Sequence, residues 1–343
     1  MRGLRKERGM TQKGKEKMKK RGIVSVLLCI LTMLLMAGCA PGKQTGSEEK
    51  SISVVATIFP EYDWVNNLIG ENPGNIDLKL LIENGADLHS YQPSVDDILT
   101  IETCDLFIYV GGESDNWVKD VLANAKNPDM KVINLLDVLG DEVKEEEIVE
   151  GMEAEEEEGE GEEEAEADEH VWLSLRNAQK FCDVIADSLC SVDPENEANY
   201  KANLTSYKEK LSALDEEYQN VCDAATLKTV LFGDRFPFRY LTEDYGLTYY
   251  AAFVGCSAET EASFKTIIFL AEKTDELSLP VILTIEGGNG KIAASVRDNT
   301  KEKNQEILTM HSMQSVTTKD MQDGVTYVSL MEENLEVLKK ALH

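Results

Sequence analysis

The sequence predicts an α/β protein with two lobes, each built on a mostly parallel sheet with flanking helices, joined by one long linker helix. Three observations predict this fold class. Strand-like and helix-like segments alternate from residue 51 onwards, and a second alternating set begins at residue 229. Between them, residues 196–225 carry apolar side chains at helical spacing, which corresponds to roughly 45 Å of helix. Alternating short strands and helices are typical of βαβ units with parallel strands.

The first alternating set predicts four strands and three helices. The strands are short and rich in β-branched and aromatic residues, and the helices place apolar residues three or four positions apart. Pro93 opens the second helix, where proline is favoured. The predicted strands are 51–59, 76–83, 105–111 and 131–138, and the predicted helices are 61–70, 93–104 and 115–125.

The sequence from residue 173 onwards predicts a helix over 173–193, then the linker helix and a second lobe. The expected domains are therefore an N-terminal lobe over 51–194, a linker helix over 195–225 and a C-terminal lobe over 226–343. In the second lobe the predicted strands are 229–233, 247–255, 280–288 and 306–313, and the predicted helices are 238–246, 260–277, 291–300 and 326–342.

The N-terminus is typical of a secretory signal. A basic region precedes the fourteen uncharged residues Ile23–Met36, which are fewer than the roughly twenty needed to span a membrane. We therefore expect residues 1–38 to be a signal peptide. The long basic lead leaves Met1 and Met18 as alternative translation starts.

Cys39 follows Ala37-Gly38, a pattern that resembles the bacterial lipobox. We expect Cys39 to be lipidated and residues 39–50 to form a flexible polar tether that holds the protein at the membrane. The alternative is an ordinary signal peptide with an incidental cysteine.

The charge distribution is uneven. The chain carries a net charge of −30, which argues against nucleic acid as a partner because phosphates would be repelled. Residues 141–169 hold eighteen acidic residues and one lysine, so we expect a disordered acidic loop over about 141–168. Such a loop either concentrates cations near a binding site or simply keeps the chain soluble.

The cysteines downstream of Cys39 form no CxxC pair. A cysteine zinc site therefore lacks support from their spacing, and buried structural thiols are the simpler interpretation. These five residues are Cys104, Cys182, Cys190, Cys222 and Cys256.

Two of the four histidines lie where ligands commonly bind. His89 follows a predicted strand, and His170 ends the acidic tract just before an apolar run. Ligands of parallel α/β sheets bind at the carboxyl ends of strands, and imidazole is a common ligand of transition metals. A structural role for each histidine is the alternative. His311 is predicted to lie within a strand, and His343 is the last residue.

Several motifs, in order along residues 51–343, resemble one family. GADLHSYQP contains His89, DEHVWL contains His170, VVATIFPEYDWVNNLIG opens the first lobe, and GVTYVSLMEENLEVLKKAL closes the second. Together they resemble the metal-binding solute-binding lipoproteins of bacterial ABC importers, the zinc and manganese group (ZnuA/AdcA-like). One departure is Glu169, which stands where the family motif has proline.

This resemblance implies a metal site in the cleft between the lobes, with His89, His170 and Glu286 as ligands. A third family histidine corresponds to Arg235, which cannot coordinate a cation. The neighbouring Asp234 is the tentative replacement, and a water molecule or His311 are the alternatives.

The resemblance also implies a function. We expect capture of a divalent metal, zinc with manganese as the alternative, and its delivery to an ABC permease, without catalysis. The protein is expected to be a monomer, lipid-anchored on the outer face of the bacterial cytoplasmic membrane, with no other membrane contact. Alternatives are an adhesin or structural surface lipoprotein, and a zinc-dependent hydrolase, although the HExxH motif of zinc hydrolases is lacking.

Overall fold

The computed structural model describes residues 51–71, 75–83, 85–153, 166–257 and 261–343, which belong to one compact unit. The predicted signal peptide, the lipidation residue Cys39 and the tether lie outside the described residues. Within the described part of the chain, no helix has both the length and the hydropathy needed to cross a membrane.

The N-terminal lobe is built on a four-stranded sheet in which every pairing is parallel. Its order, β2-β1-β3-β4, places β1 and β3 at the centre. All four carboxyl ends therefore lie at the same edge. The strands are β1 (Ile52–Ala56), β2 (Ile76–Leu80), β3 (Leu106–Tyr109) and β4 (Lys131–Asn134).

The C-terminal lobe repeats this arrangement. Its sheet is also parallel, in the order β6-β5-β7-β8. The predicted two-lobed α/β fold with mostly parallel sheets is thus confirmed. The strands are β5 (Thr229–Phe236), β6 (Thr248–Val254), β7 (Val281–Ile285) and β8 (Glu306–Met310).

Helices flank the two sheets, and side chains before the helices often cap them. Ser174, for example, accepts a hydrogen bond from the Asn177 amide at the start of α5. The helices are α1 (Phe59–Ile69), α2 (Val95–Thr103), α3 (Val118–Leu122), α4 (Leu135–Leu139), α5 (Leu175–Val192), α6 (Glu197–Ala224), α7 (Arg239–Asp244), α8 (Phe264–Glu276), α9 (Lys291–Asn299), α10 (Thr318–Gln322) and α11 (Tyr327–Leu342).

The long helix α6 and the last helix α11 join the two lobes. The Tyr218 hydroxyl on α6 donates to the Met331 carbonyl of α11 over 2.5 Å. The buried Tyr327 on α11 donates its hydroxyl to the Trp172 carbonyl over 2.7 Å and its amide to Asp63 over 3.1 Å. Helix α11 is therefore fixed to the N-terminal lobe as well as to the C-terminal lobe, to which it belongs. The domain limits 51–194, 195–225 and 226–343 stay a prediction.

The observed strands differ from the predicted ones by a few residues at their ends, and two of them show the reason. The strand predicted over 131–138 stops at Asn134, whose side chain accepts from the Asp137 amide and starts α4. The last strand stops at Met310, so His311 lies just beyond β8 rather than within it. In both cases a side chain bonds the backbone where the strand ends. At the second strand, the Asn334 side chain accepts from the His311 amide and donates to the His311 carbonyl.

The acidic segment differs from the expected disorder wherever it is described. Glu145 and Ala167 form an antiparallel bridge, and Glu153 bridges Phe253 on the edge strand β6. Glu147 pairs with Arg239 of the C-terminal lobe. Backbone pairing and nearby cations thus order residues 141–153 and 166–168, which composition alone does not reveal. Residues 154–165, where the acidic run is densest, lie outside the described part.

A buried carboxylate stabilises the start of α1. Glu61 is fully buried, and its Oε2 accepts from the Thr57 amide over 2.8 Å and the Ile58 amide over 3.3 Å. Burial, reinforced by the charge of Asp115, raises the pKa of Glu61 to about 8. The folded state therefore binds this proton more tightly than the unfolded chain, and the stability that it contributes falls as pH rises from about 4.5 to about 8.

Replacing Glu61 by glutamine removes this titration while retaining a carbonyl acceptor. As pH rises from 5 to 8.5, the free energy of unfolding of Glu61→Gln should increase relative to that of the wild type, by about 1 kcal/mol or more. Urea unfolding of both proteins at several pH values measures the difference. Glu332→Gln, at an exposed site of α11, is the control and should show a constant difference. A pH-independent difference for Glu61→Gln would contradict the assignment.

Candidate metal centre

The site residues converge because the carboxyl ends of the strands meet at one edge of each sheet. His89 lies in a short 3₁₀ turn, Leu88–Ser90, after β2, and Ser114 follows β3. Cys256 follows β6 in the other lobe. His170 immediately precedes the 3₁₀ turn Val171–Leu173, which leads into α5.

The two predicted histidine ligands come together. Their Nε2 atoms are 3.2 Å apart and their ring centroids 5.2 Å apart. Two nitrogens bound to one tetrahedral zinc at about 2.0–2.1 Å would lie about 3.3 Å apart. The imidazoles of His89 and His170 are therefore spaced as two ligands of one ion.

Each histidine binds an acceptor through its other ring nitrogen. His170 Nδ1 lies 3.0 Å from Asp168 Oδ1, and the same oxygen accepts the His170 amide over 2.9 Å. His89 Nδ1 lies 2.8 Å from Ser114 Oγ and, at ion-pair distance, 3.4 Å from Glu169 Oε2. Proton donation from Nδ1 leaves an Nε2 lone pair on each ring, and such partners orient metal-binding histidines.

Two glycines permit this close packing. A Cβ at Gly112 (φ +78°) would lie 2.3 Å from Glu169 Oε1, so a larger residue would displace the carboxylate beside His89. A Cβ at Gly255 would lie 2.7 Å from His170 Cε1. The turn after β6 therefore packs directly against the His170 ring.

The surroundings of the histidine pair favour a cation. Asp168 and Glu169 are 3% and 2% exposed, and His170 is fully buried. Burial opposes ionisation of Glu169, but hydrogen bonds from His89 and Ser114 hold its pKa below the usual value. Buried negative charge needs a positive partner, which a divalent ion between the imidazoles would supply.

Cys256 is the third side chain of this cluster, and the sequence analysis missed it. Its Sγ and one nitrogen from each histidine all lie within 4.8 Å of one another. Burial, followed by the neighbouring carboxylates, raises the pKa of its thiol. The available signal was its place directly after a strand that ends at the ligand-binding edge. The spacing of CxxC pairs does not bear on a cysteine that meets the histidines from a distant segment.

Glu286 lies in the same cavity, of about 420 Å³, as His89 and Cys256. Its carboxylate accepts from the Ser312 amide over 2.7 Å, the Ser312 hydroxyl over 2.8 Å and the Gln314 amide over 3.2 Å. Among the described residues, Glu286 does not belong to the cluster whose ligating atoms lie within 4.8 Å of one another. Its assignment as a ligand stays a prediction, since a carboxylate oxygen that accepts one hydrogen bond can still coordinate a cation.

Asp234 also lines the cavity and stays a tentative ligand. It lies at an irregularity of β5, between Phe232 and Arg235, where one extra residue turns successive side chains to the same side. Its oxygens accept from the Arg235 amide over 2.9 Å and the Ile285 amide over 3.3 Å. Burial raises the pKa of Asp234. Like Glu286, it is bonded to backbone amides and lies outside the described cluster.

Arg235, at the position of the third family histidine, makes a contact between the lobes. Its guanidinium donates to Asp87 Oδ2 over 2.8 Å and to the Ser257 carbonyl over 3.3 Å. Asp87 Oδ1 accepts the amide of His89 over 3.0 Å. Burial alone would raise the pKa of Asp87, but the Arg235 charge holds it below its usual value. Arg235 thus holds the loop that carries His89.

Comparison with known sequences identifies the family. Residues 54–341 match the sequence model of the family described as "Zinc-uptake complex component A periplasmic" (ZnuA). The chain belongs to the ZnuA family. This membership confirms the resemblance that the motifs around His89 and His170 indicated.

Individual relatives agree with this assignment. The chain is 30% identical to the zinc-binding lipoprotein AdcA of Streptococcus pneumoniae, over 92% of its own length but 60% of that of AdcA. It is also 30% identical to the high-affinity zinc uptake system protein ZnuA of Bacillus subtilis, covering 94% and 97% of the two chains. A crystal structure of the Zn(II)-bound ZnuA-like domain of S. pneumoniae AdcA is similar with a TM-score of 0.66 and 27% identity, covering 85% and 99%. The chain thus spans about three fifths of the AdcA lipoproteins that it matches.

The carboxylate behind His170 gives a test of this ZnuA-family site. Asp168→Ala removes the acceptor that orients the ring, and loss of such a partner typically lowers metal affinity about 10–100-fold. We expect a drop of that size in zinc affinity, measured by competition with a chromophoric chelator. Asp129→Asn, at an exposed position just before β4 and so at the opposite end of the sheet, should bind zinc as the wild type does. Unchanged affinity in a folded Asp168→Ala variant would contradict the role.

Proposed function

We propose that this protein captures zinc outside the cytoplasm and delivers it to an ABC permease for import. The observation that carries the proposal is the pair of Nε2 atoms, 3.2 Å apart, on rings whose Nδ1 atoms already have acceptors. When both rings donate their Nδ1 protons to these partners, the two Nε2 lone pairs face each other, and a cation between them would be bound by both. Zinc fits because imidazole is among its preferred ligands.

The site suits binding and release better than catalysis. A catalytic zinc keeps an open coordination position and needs a nearby general base. The carboxylates closest to the imidazoles, those of Asp168 and Glu169, instead bind Nδ1 atoms. The family is one of uptake components rather than enzymes, which also speaks against the hydrolase alternative.

Delivery requires the ion to leave a buried position. Both histidines belong to the N-terminal lobe, and Arg235, which holds Asp87 beside His89, belongs to the C-terminal lobe. Separation of the lobes would break this ion pair and expose the imidazoles to solvent. Because α6 and α11 cross between the lobes, we expect a small motion, triggered when the loaded protein docks on the permease.

Purified protein should bind one zinc ion per chain, as measured by elemental analysis and calorimetry. His89→Ala and His170→Ala should each weaken zinc binding by at least about 100-fold, because a nitrogen ligand is lost. His311→Ala is a matched control, since His311 also follows a strand but its backbone is bonded to Asn334. This variant should bind zinc as the wild type does.

Three outcomes would count against the proposal. Wild-type protein could lack tight zinc binding, or the two histidine variants could retain it. The protein could also prefer manganese over zinc by a large factor in the same titration, which would favour the alternative metal. Binding of a host surface protein without any metal requirement would favour the adhesin alternative.

We also propose that the mature chain is a monomer anchored by lipid at Cys39 to the outer face of the cytoplasmic membrane. The supporting observation is the sequence Ala37-Gly38-Cys39 after an apolar stretch. A short lipid anchor and a polar tether would hold the metal site near the permease.

Cys39→Ala should move the protein from the membrane fraction to the soluble extracytoplasmic fraction of a bacterial host that processes lipoproteins. The wild type should be extracted by detergent but not by salt, because acyl chains hold it. Cys29→Ala is the matched control, since Cys29 lies within the predicted apolar region of the signal. Equal fractionation of wild type and Cys39→Ala would rule out the anchor.

A further inference from the structure

We propose that the sulfur of Cys256 is the third protein ligand of the metal, supplied by the C-terminal lobe to the histidine pair of the N-terminal lobe. This inference rests on the proposed zinc-binding function. It assigns the position that Arg235 leaves vacant to a different residue and a different donor atom.

The first argument is proximity. Cys256 Sγ lies within 4.8 Å of a nitrogen of His89 and a nitrogen of His170. A sulfur at about 2.3 Å and a nitrogen at about 2.0–2.1 Å on one tetrahedral zinc would lie about 3.5 Å apart. A shift on the order of 1 Å therefore suffices to close the site around an ion.

The second argument is that the turn carrying Cys256 is fixed on both sides. The Cys256 amide donates to Glu146 Oε1 over 3.2 Å, and the next carbonyl, that of Ser257, accepts from Arg235 over 3.3 Å. The preceding residue, Gly255, packs against the His170 ring. The backbone that carries the sulfur is thus held next to the imidazole.

The third argument concerns the other side chains of the C-terminal lobe that could serve as the ligand. Arg235 cannot coordinate a cation, and its ion pair with Asp87 offsets its charge. The carboxylates of Glu286 and Asp234 accept two or three protein hydrogen bonds each. Cys256 must lose its thiol proton, which burial and the neighbouring carboxylates oppose until an ion binds. That proton passes to solvent as the sulfur–zinc bond forms, and the charge of the ion stabilises the thiolate among the carboxylates.

A sulfur ligand changes the expected metal preference. Thiolate and imidazole together select zinc over manganese, which prefers oxygen donors. A site of two histidines and two carboxylates would have been harder and closer to manganese sites. The ligand from the C-terminal lobe also ties the two lobes together when the ion is bound.

X-ray absorption spectroscopy of the zinc-loaded mature protein tests the assignment directly. We expect one zinc–sulfur distance of about 2.3 Å in addition to nitrogen ligands. Cys256→Ser should lose this sulfur signal and weaken zinc binding by at least about tenfold, with a smaller effect on manganese. Cys190→Ser is the matched control, because this partly exposed cysteine lies at the end of α5, away from the cluster.

The outcomes separate the two proposals. One tightly bound zinc with only nitrogen and oxygen ligands in the wild type would overturn the Cys256 assignment and leave the zinc receptor standing. A sulfur signal that persists in Cys256→Ser would also overturn the assignment. Failure of the wild type to bind zinc would instead overturn the proposed function. The wild-type spectrum alone decides the Cys256 assignment, so the test remains valid even if the variant fails to fold.

Discussion

The close approach of two imidazole Nε2 atoms, each on a ring whose Nδ1 already has an acceptor, is the constraint on which the rest of the site depends. Asp168 must lie buried behind the His170 ring, and Ser114 and Glu169 must lie beside the His89 ring. Gly112 and Gly255 permit these contacts, because a side chain at either position would push a carboxylate or a ring out of place. The scaffold thus holds two imidazole nitrogens at the separation of two ligands of one ion.

Parallel strands explain why the fold and half of the site were predictable from sequence. Alternating strand and helix patterns imply that strand ends share an edge, and His89 follows such a strand. His170 was recognisable because an acidic tract gives way there to the buried run Val171–Leu173. Local patterns singled out both positions and the family resemblance gave their roles, and the 3.2 Å between the two Nε2 atoms agrees with them.

The other half of the site depends on contacts that no local pattern encodes. Cys256 meets the histidines across the cleft, from a different sheet, so spacing rules for short cysteine motifs could not find it. Glu286 has the right residue type and place, but the amides of Ser312 and Gln314 occupy its oxygens. The acidic segment was misjudged for a related reason, since Glu147 and Glu153 are ordered by Arg239 and by the edge of β6.

Arg235 constrains the histidine pair from the second lobe without being able to coordinate the ion. A histidine at this position would tie the C-terminal lobe to the ion itself. Arg235 instead binds Asp87, whose other oxygen accepts the His89 amide, so the second lobe still constrains the first ligand. An ion pair of this kind contributes orientation more than stability, because desolvation of both charges offsets much of their attraction. The turn at Cys256, which Arg235 itself bonds through Ser257, brings a side chain of the C-terminal lobe within 4.8 Å of a nitrogen of each imidazole, as the proposed ligand requires.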